Sequence, residues 1–423
     1  MRKDIDRLMR ERGLAGMVAF AYDRYSPAMH YVTGQKLHYG VHFRAADGRA
    51  HLIHDPMERD QAAAVGCEHS GFPQHGLVQL TTEEDGHPGR AFGRLIAQTC
   101  ATLGIQGRIA LLGDLPAGFA HALIARMLEA NPALSVDTSH PDLLLAARVT
   151  KDPDEAEAIR RVSRATAGAM GALRDWLGTL KRDGDQFRAD GRAPAAGGSR
   201  VAGRGSDPVL LGDLRRVIHR AFAEQKVVEE GGESIVSQGR DAGVPHNRGN
   251  DDEPLRAGQS IIVDIFPGEA GGGYHSDMTR TFCMGPAPAP LRQLHAQVKE
   301  AFDAAMGSLA PGRPCRSYQM LTCDILEKHG HATRRTDEAT QEGYVHNLGH
   351  GVGLAVHEPP LLGGAPTNDA VIEPGMVFSV EPGLYYPERG MGVRIEDLVF
   401  ARPDGTFEDL TPFPYDLEIE PRG

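Results

Sequence analysis

Five side chains of the kinds that bind divalent metal ions follow one another in the C-terminal half of the chain. They are Asp264, Asp277, His350, Glu381 and Glu396. If all four carboxylates are ionised, they carry a formal charge of −4. Several of them follow apolar runs that predict buried strands, and burying an unpaired carboxylate is very costly. We therefore predict that these residues converge on two divalent cations, which would cancel the charge.

The composition of this donor set restricts both the metal and the chemistry. Oxygen donors with a single nitrogen suit manganese, zinc, cobalt or iron, and manganese is the ion that we favour. Two close metal ions suit hydrolysis, because together they polarise a carbonyl group and produce hydroxide from water at neutral pH. The residue types therefore predict a hydrolytic site.

Strands and turns must bring these residues together. Asp264 ends the apolar run 260–266, and the glycine-rich loop 267–273 leads from it to the segment of Asp277. A hairpin would place both carboxylates on one face. Arg394 and Glu396 share a strand face because side chains alternate with a period of two, so Arg394 can orient a carboxylate in the same pocket.

The first part of the chain alternates strands with helices, which predicts an α/β domain over residues 1–148. Apolar periodicity predicts helices at 4–13, 89–103 and 117–130 and strands at 16–20, 51–53 and 108–112. The start signal around Pro153 predicts a helix to about Leu180, and we place the domain boundary near Val149. The catalytic domain would cover 149–423.

Within that second domain, residues 181–208 are rich in glycine, arginine, alanine and aspartate, which predicts a flexible insertion. Further helices are expected at 210–225, 289–309 and 317–329, with strands between and after them. The predicted fold class is α+β.

Composition excludes several kinds of partner. The net charge of −12 argues against nucleic acid, which requires a basic surface. No run of about 18 apolar residues exists, so we expect no membrane span. The five cysteines are scattered without a CxxC pair, which is typical of free thiols in a reducing compartment. We expect a cytoplasmic protein.

Four segments together resemble one enzyme family. They are Asp-Met-Thr-Arg-Thr-Phe at 277–282, His-Asn-Leu-Gly-His-Gly-Val-Gly-Leu at 346–354, Val-Glu-Pro-Gly-Leu-Tyr at 380–385 and Gly-Val-Arg-Ile-Glu-Asp at 392–397. They are similar to segments of the dinuclear pita-bread metallopeptidases, closest to Xaa-Pro dipeptidase (prolidase) and Xaa-Pro aminopeptidase (aminopeptidase P). The resemblance covers about 149–415, and the preceding domain resembles the creatinase-type N-terminal domain in outline.

The resemblance implies roles for the metal ligands and their neighbours. Asp277 and Glu396 would contact both ions, Asp264 would complete one site, and His350 with Glu381 would complete the other. The hypothesis is that a hydroxide bridging the ions attacks the carbonyl, with Glu381 as the general base.

The resemblance also places further residues around the substrate. His246 and His357 would line the pocket, with His357 stabilising the oxyanion. His346 would contact the substrate or support it through a hydrogen bond. Many prolidases hold the substrate carboxylate with an arginine between the counterparts of His357 and Glu381, but this chain has none there. Carboxylate binding would then fall to Arg394, Arg248, Tyr385 or Tyr386, or the substrate is longer.

We therefore expect a metal-dependent peptidase that acts on small proline-containing peptides, favoured as a dipeptidase, and a homodimer as the resemblance implies. The alternative is an aminopeptidase P that acts on longer peptides. A metal-free hydrolase of the creatinase kind and a non-catalytic binding protein on the same fold are further rivals, but neither needs all five ligands.

Overall fold

The computed structural model describes residues 4–189, 207–229 and 234–422. Two compact units divide this part of the chain. The first ends at Arg148 and also includes Gly271–Gly273, and the second begins at Val149 and holds the rest. None of the described helices combines the length with the apolar character needed to cross a membrane.

The first unit is a mixed six-stranded sheet covered by helices. Its strands are β1 (Gly16–Tyr22), β2 (Tyr39–Ala45), β3 (Ala50–His54), β4 (Glu68–Gly71), β5 (Gly107–Leu112) and β6 (Leu134–Val136). Its helices are α1 (Asp4–Glu11), α2 (Pro27–Thr33), α3 (Arg59–Ala63), α4 (Leu77–Glu83), α5 (Pro88–Thr102), α6 (Ala117–Ala130) and α7 (Leu143–Ala147), with 3₁₀ turns at Pro56–Glu58 and Phe72–His75. The strand order is β4-β3-β2-β1-β5-β6, and β2 runs antiparallel to both of its neighbours.

The second unit contains four helices among its described residues: α8 (Pro153–Leu177), α9 (Leu211–Glu224), α10 (Ala289–Gly307) and α11 (Cys315–Lys328). Its strands are β7 (Lys181–Asp183), β8 (Gln186–Arg188), β9 (Val227–Val228), β10 (Ile235–Gln238), β11 (Ser260–Ile265), β12 (Gly268–Glu269), β13 (Met278–Met284), β14 (His350–Gly351), β15 (Glu358–Leu361), β16 (Val377–Val380), β17 (Gly383–Tyr386), β18 (Met391–Arg394), β19 (Asp397–Ala401), β20 (Phe407–Asp409) and β21 (Glu418–Ile419), with 3₁₀ turns at Asp241–Gly243 and Pro387–Arg389.

Two sheets of the second unit position the site. One has the order β10-β11-β13-β21 and the other β15-β14-β16-β19-β20. Helices α8 and α9 share an apolar core with the first sheet, in which Trp176, Phe222 and Phe282 are buried. Helices α10 and α11 pack against the second sheet around Phe302, Tyr318 and other buried side chains.

Local sequence signals predicted most helices closely. Helix α6 has the predicted bounds, and α8 begins at Pro153 as expected. The start of α8 is fixed by a capping box, in which the backbone N–H of Asp152 donates to Glu155 Oε2 at 2.9 Å.

The segment 181–208 was predicted to be flexible, and its first described residues do not match this prediction. Residues 190–206 lie outside the described part of the chain. The residues before them instead form the antiparallel hairpin of β7 and β8. Its Phe187 is fully buried in the core with Trp176, because one apolar side chain in a polar stretch is enough to anchor a short hairpin to a neighbouring core.

Candidate metal centre and active site

Thr279 lies between two of the acidic residues, Asp264 and Glu396. On one side, β11 pairs antiparallel with β13, so that Asp264 is opposite Thr279. On the other side, Thr279 forms an isolated bridge with Glu396, whose backbone N–H donates to the Thr279 carbonyl at 3.1 Å. Asp277 is two residues before Thr279 and therefore shares its face of the sheet. Three carboxylates thus meet on one surface.

The second sheet brings the remaining two donors to the same place. Val380 pairs with Asp397, so Glu381 follows β16 beside Glu396. The Glu381 backbone N–H donates to the Leu348 carbonyl at 2.8 Å, which joins the segment of His350 to this strand end. Gly349 makes the close approach possible, since a Cβ there would lie 1.9 Å from the Ser379 carbonyl oxygen.

Nine of the ten predicted site residues line a single cavity of about 790 Å³. They are His246, Asp264, Asp277, His346, His350, His357, Glu381, Arg394 and Glu396. Arg248 and Glu358 also reach the wall, together with an apolar group made by Ile235, Pro245, Phe266, Val356, Pro359 and Leu361. The cavity thus combines one acidic region with apolar surface.

The tenth residue, Tyr385, is not among those lining the cavity. Tyr385 is fully buried, and its hydroxyl contacts Arg394 Nη1 and His346 Nε2, each at 2.9 Å. Burial, followed by the charge of Arg394, lowers the pKa of His346 to about 3, so this imidazole is neutral. Its Nδ1 donates to the Asn347 carbonyl at 2.7 Å, which leaves Nε2 to accept from Tyr385. Tyr385 was predicted to bind substrate, but its hydroxyl instead links Arg394 to His346.

Arg394 uses each of its guanidinium nitrogens inside the protein. Nη2 donates to Asp264 Oδ2 at 2.6 Å, Nε to Thr279 Oγ1 at 3.1 Å and Nη1 to Tyr385. The side chain is only 4% exposed. The predicted ability of Arg394 to orient a carboxylate matches this geometry, whereas substrate binding would require it to release one of these partners.

The imidazole of His350 has the protonation state and the orientation that a metal ligand requires. Burial, followed by nearby His357, lowers its pKa to about 4, so it is neutral at pH 7. Its Nδ1 faces the Gly351 carbonyl at 3.2 Å and must carry the proton, because a carbonyl only accepts. The lone pair of Nε2 therefore points toward Glu381 Oε1 at 3.3 Å and Asp277 Oδ2 at 3.7 Å. Electron-rich atoms placed this way repel each other unless a proton or a metal cation lies between them.

The pKa values of the carboxylates also indicate that the site needs added positive charge. Burial, followed by the charges of Glu396 and Asp264, raises the pKa of Asp277. Burial raises the pKa of Glu381 to about 8. The pKa of Glu396 rises through burial and through the charge of Glu381. These acids can all be ionised near neutral pH only if positive charge is added, and Arg394 alone supplies too little.

Donor positions agree with this requirement. Asp277, His350 and Glu396 each offer one ligand atom, and these atoms lie within 4.8 Å of one another. In addition, Asp264 Oδ1 is buried with no hydrogen-bond partner among the described residues. An unsatisfied buried carboxylate oxygen is rare in folded proteins. The residues of this site therefore fit a divalent cation.

Comparison with known proteins identifies the family. Residues 157–403, more than half of the chain, match metallopeptidase family M24. The chain belongs to metallopeptidase family M24. The probable dipeptidase PepE of Mycobacterium bovis is 34% identical over 280 residues, which are 66% of this chain and 63% of that protein. The Xaa-Pro dipeptidase of Lactobacillus helveticus is 34% identical over 51% of this chain and 56% of that protein. This M24 chain thus spans less than two thirds of the length of these curated relatives.

Solved structures confirm the predicted fold class of the M24 chain. A Xaa-Pro dipeptidase from Bacillus anthracis has a TM-score of 0.74 at 23% identity and covers 99% of both chains. An X-Pro aminopeptidase from Thermotoga maritima has a TM-score of 0.72 at 19% identity, with 98% of this chain and 99% of that chain covered. In both comparisons the M24 domain and the domain before it are matched together, as the sequence predicted.

Several residues that support the site in this M24 chain were missed in the sequence. Thr279 donates to Glu396 Oε2 at 2.7 Å, and Ser379 approaches Glu381 Oε1 at 3.4 Å. Each lies two residues from a ligand on the same strand face, so the period of two could have identified both. Glu358 directly follows His357, but its buried partner Lys151 is 207 residues away, and no local signal connects them.

Proposed function

We propose that this M24 metallopeptidase is a Xaa-Pro dipeptidase, which hydrolyses the bond between an N-terminal residue and proline. The observation that supports this most is the cavity in which four carboxylates and the Nε2 atom of His350 converge beside an apolar wall. The printed names of the relatives, dipeptidase PepE and Xaa-Pro dipeptidase, agree with that chemistry.

The metal ligands proposed are those predicted from the sequence. Two divalent ions, with manganese favoured, would be held by Asp264, Asp277, His350, Glu381 and Glu396. When bound, such ions supply Lewis acidity toward the scissile carbonyl and toward water. Thr279 and Arg394 would keep the carboxylates of Glu396 and Asp264 in place through the hydrogen bonds that they donate.

The general base that we propose is Glu381. Its carboxylate reaches the cavity from the end of β16, where it can take a proton from water and pass it to the proline nitrogen as the bond breaks. An amide nitrogen is a poor leaving group as an anion, so the proline nitrogen leaves only after it receives this proton.

Two exposed histidines face the same space. Partial burial, followed by the charge of His246, lowers the pKa of His357, so at neutral pH it carries one ring N–H. That N–H is suited to donate to the oxygen on which negative charge develops. His246 lines the same cavity, and we propose that it contacts the substrate.

A dipeptide also presents a free carboxylate, which needs a cationic hydrogen-bond donor in the cavity. Two arginines are among the described residues that line the cavity: Arg394, which is buried and bonded to Asp264, and Arg248. Arg248 is exposed at the wall, and its backbone carbonyl is held by Arg215. We propose that Arg248 binds the substrate carboxylate, while the apolar wall accommodates the proline ring.

The alternative is aminopeptidase P activity on longer peptides, which the lack of an arginine between His357 and Glu381 favours. Purified protein loaded with manganese should be assayed with Ala-Pro and with Ala-Pro-Ala. Faster hydrolysis of Ala-Pro supports the dipeptidase, and faster release of alanine from the tripeptide supports the aminopeptidase. No hydrolysis of either peptide, with metal bound, would reject both. The homodimer and the cytoplasmic location stay predictions.

A further inference from the structure

A buried ion pair connects the segment before α8 to the residue after His357. Lys151 Nζ lies 2.6 Å from Glu358 Oε1, and both side chains are only 1% exposed. The backbone of the same lysine donates to the Gly375 carbonyl at 2.7 Å, two residues before β16. The carboxylate of Glu358 also packs against Gly353, where a Cβ would lie 2.1 Å from Oε1.

A second buried contact is a hydrogen bond to Glu155, in the first turn of α8. The hydroxyl of Tyr274 donates to Glu155 Oε1 at 2.8 Å, and both residues are nearly fully buried. The other oxygen of Glu155 is fixed by the backbone N–H of Asp152. Tyr274 is three residues before Asp277, and the next residue, His275, donates its backbone N–H to the Gly353 carbonyl at 2.8 Å.

We propose that Lys151 and Glu155 are positioning residues for the active site. Lys151 acts through Glu358 to fix the main chain that carries His357, and Glu155 acts through Tyr274 to fix the segment that carries Asp277. Lys151 and Glu155 are four residues apart at one helix end. The hydrogen bond from His275 to Gly353 connects the segment of Tyr274 with the residue against which Glu358 packs. The start of α8 therefore fixes the positions of His357 and Asp277 relative to each other.

The energetics of buried ion pairs favour this role over a purely stabilising one. Removing a lysine and a glutamate from water costs about as much as their mutual attraction returns, so a well-packed neutral pair is often equally stable. What a fixed 2.6 Å contact does provide is orientation, because the ammonium and the carboxylate hold each other in one geometry. The pair places the Glu358 carboxylate, and with it the adjacent His357 backbone.

The first test removes the Lys151 contact, and its activity readout rests on the proposed dipeptidase function. Lys151→Met should lower kcat for Ala-Pro about ten- to a hundred-fold, the range typical of groups that orient a catalytic shell, at a temperature where the variant is folded. Lys151→Arg should recover part of the loss. The matched control is Lys299→Met, since Lys299 also lies 2.6 Å from a carboxylate, Asp303, but on the exposed side of α10; its kcat should not change.

The double variant Lys151→Met/Glu358→Gln distinguishes positioning from stability. Both buried charges are then removed together, so the unfolding midpoint should return toward that of the wild type. If the pair positions His357, kcat stays low in this stable protein. A double variant that recovers both its midpoint and its kcat would overturn the proposal, because the pair would then have only a structural role.

The second contact is tested without any substrate. Tyr274→Phe should weaken manganese binding about ten- to a hundred-fold, measured by equilibrium dialysis and elemental analysis. Tyr318→Phe is the control, because it removes another buried hydroxyl whose hydrogen bonds within the described residues are with the Ala310 backbone. Unchanged manganese affinity in Tyr274→Phe contradicts the role of Glu155. If the wild type fails to cleave Ala-Pro, the proposed function fails while this binding test still decides the positioning.

Discussion

Substituting Arg248 by alanine should lower kcat/KM for some peptides and leave it unchanged for others. Arg394, one of the two arginines on the cavity wall, is buried and bonded to Asp264 at 2.6 Å. Arg248 is the second arginine of the wall. Its removal should therefore weaken the binding of peptides that end at proline with a free carboxylate.

The exposure of Arg248 determines how large a loss of kcat/KM we expect. Hydrogen bonds to a charged group contribute about 1.5–3 kcal/mol, and solvent screening at an exposed side chain favours the lower end of that range. Since about 1.4 kcal/mol corresponds to a factor of ten, kcat/KM for Ala-Pro should fall by about ten- to thirty-fold. Arg248→Lys should fall less, because it keeps the charge but loses the paired geometry of the guanidinium.

The assay compares three substrates that differ only beyond the scissile bond. Ala-Pro has the carboxylate at proline, Ala-Pro amide lacks it, and Ala-Pro-Ala carries it one residue further on. In Arg248→Ala, kcat/KM should fall for Ala-Pro and stay near the wild-type value for the amide.

A matched control and a clear negative result complete this design. Arg240→Ala removes an arginine eight residues earlier that is exposed, lies 3.5 Å from Asp241 and is not among the lining residues; it should leave all three values unchanged. An equal loss on all three peptides in Arg248→Ala, or no loss at all, would refute carboxylate binding by Arg248.

Three further predictions concern catalysis, metal and stability. Glu381→Gln should keep the unfolding midpoint within a few degrees and abolish turnover of Ala-Pro; activity near the wild-type level would remove Glu381 as the base. Chelation should abolish hydrolysis, and manganese or cobalt should restore it; full activity with no metal detected by elemental analysis would contradict the metal centre. Burial, followed by the charge of Arg44, lowers the pKa of His42 to about 4, below the value of about 6.5 for an unfolded histidine. Below about pH 6.5 only the unfolded chain gains this proton, so stability should fall as the pH decreases from about 6.5 to about 4, by about 3 kcal/mol in total. Denaturant unfolding of wild type and His42→Gln at pH 7 and pH 4 should show the larger loss in the wild type, and parallel losses would contradict it.

Sequence patterns predicted the elements that depend on neighbouring residues. Apolar periodicity predicted the observed bounds of α6, and the start signal around Pro153 located the start of α8. The run 260–266 contains β11, and Asp264 lies on it as expected. In each case the signal and the structure occupy the same few residues.

The partners of buried polar groups could not be predicted in this way. Tyr385 and Arg394 were both assigned to substrate, yet they bond to each other, and Tyr385 also bonds to His346 and Arg394 to Asp264. Phe187 anchors a hairpin where the composition predicted flexibility. Such outcomes depend on which side chains meet after distant segments have packed.

The sequence by itself determined the donor types, their order along the chain and the strands and turns that carry them. Only the tertiary structure decided that Asp264 and Glu396 lie on either side of Thr279, and that Lys151 meets Glu358 across 207 residues. The physical reason is that periodicity and capping act over a few residues, whereas a buried charge takes whichever opposite charge or hydrogen-bond donor the packing of the whole domain brings within about 3 Å.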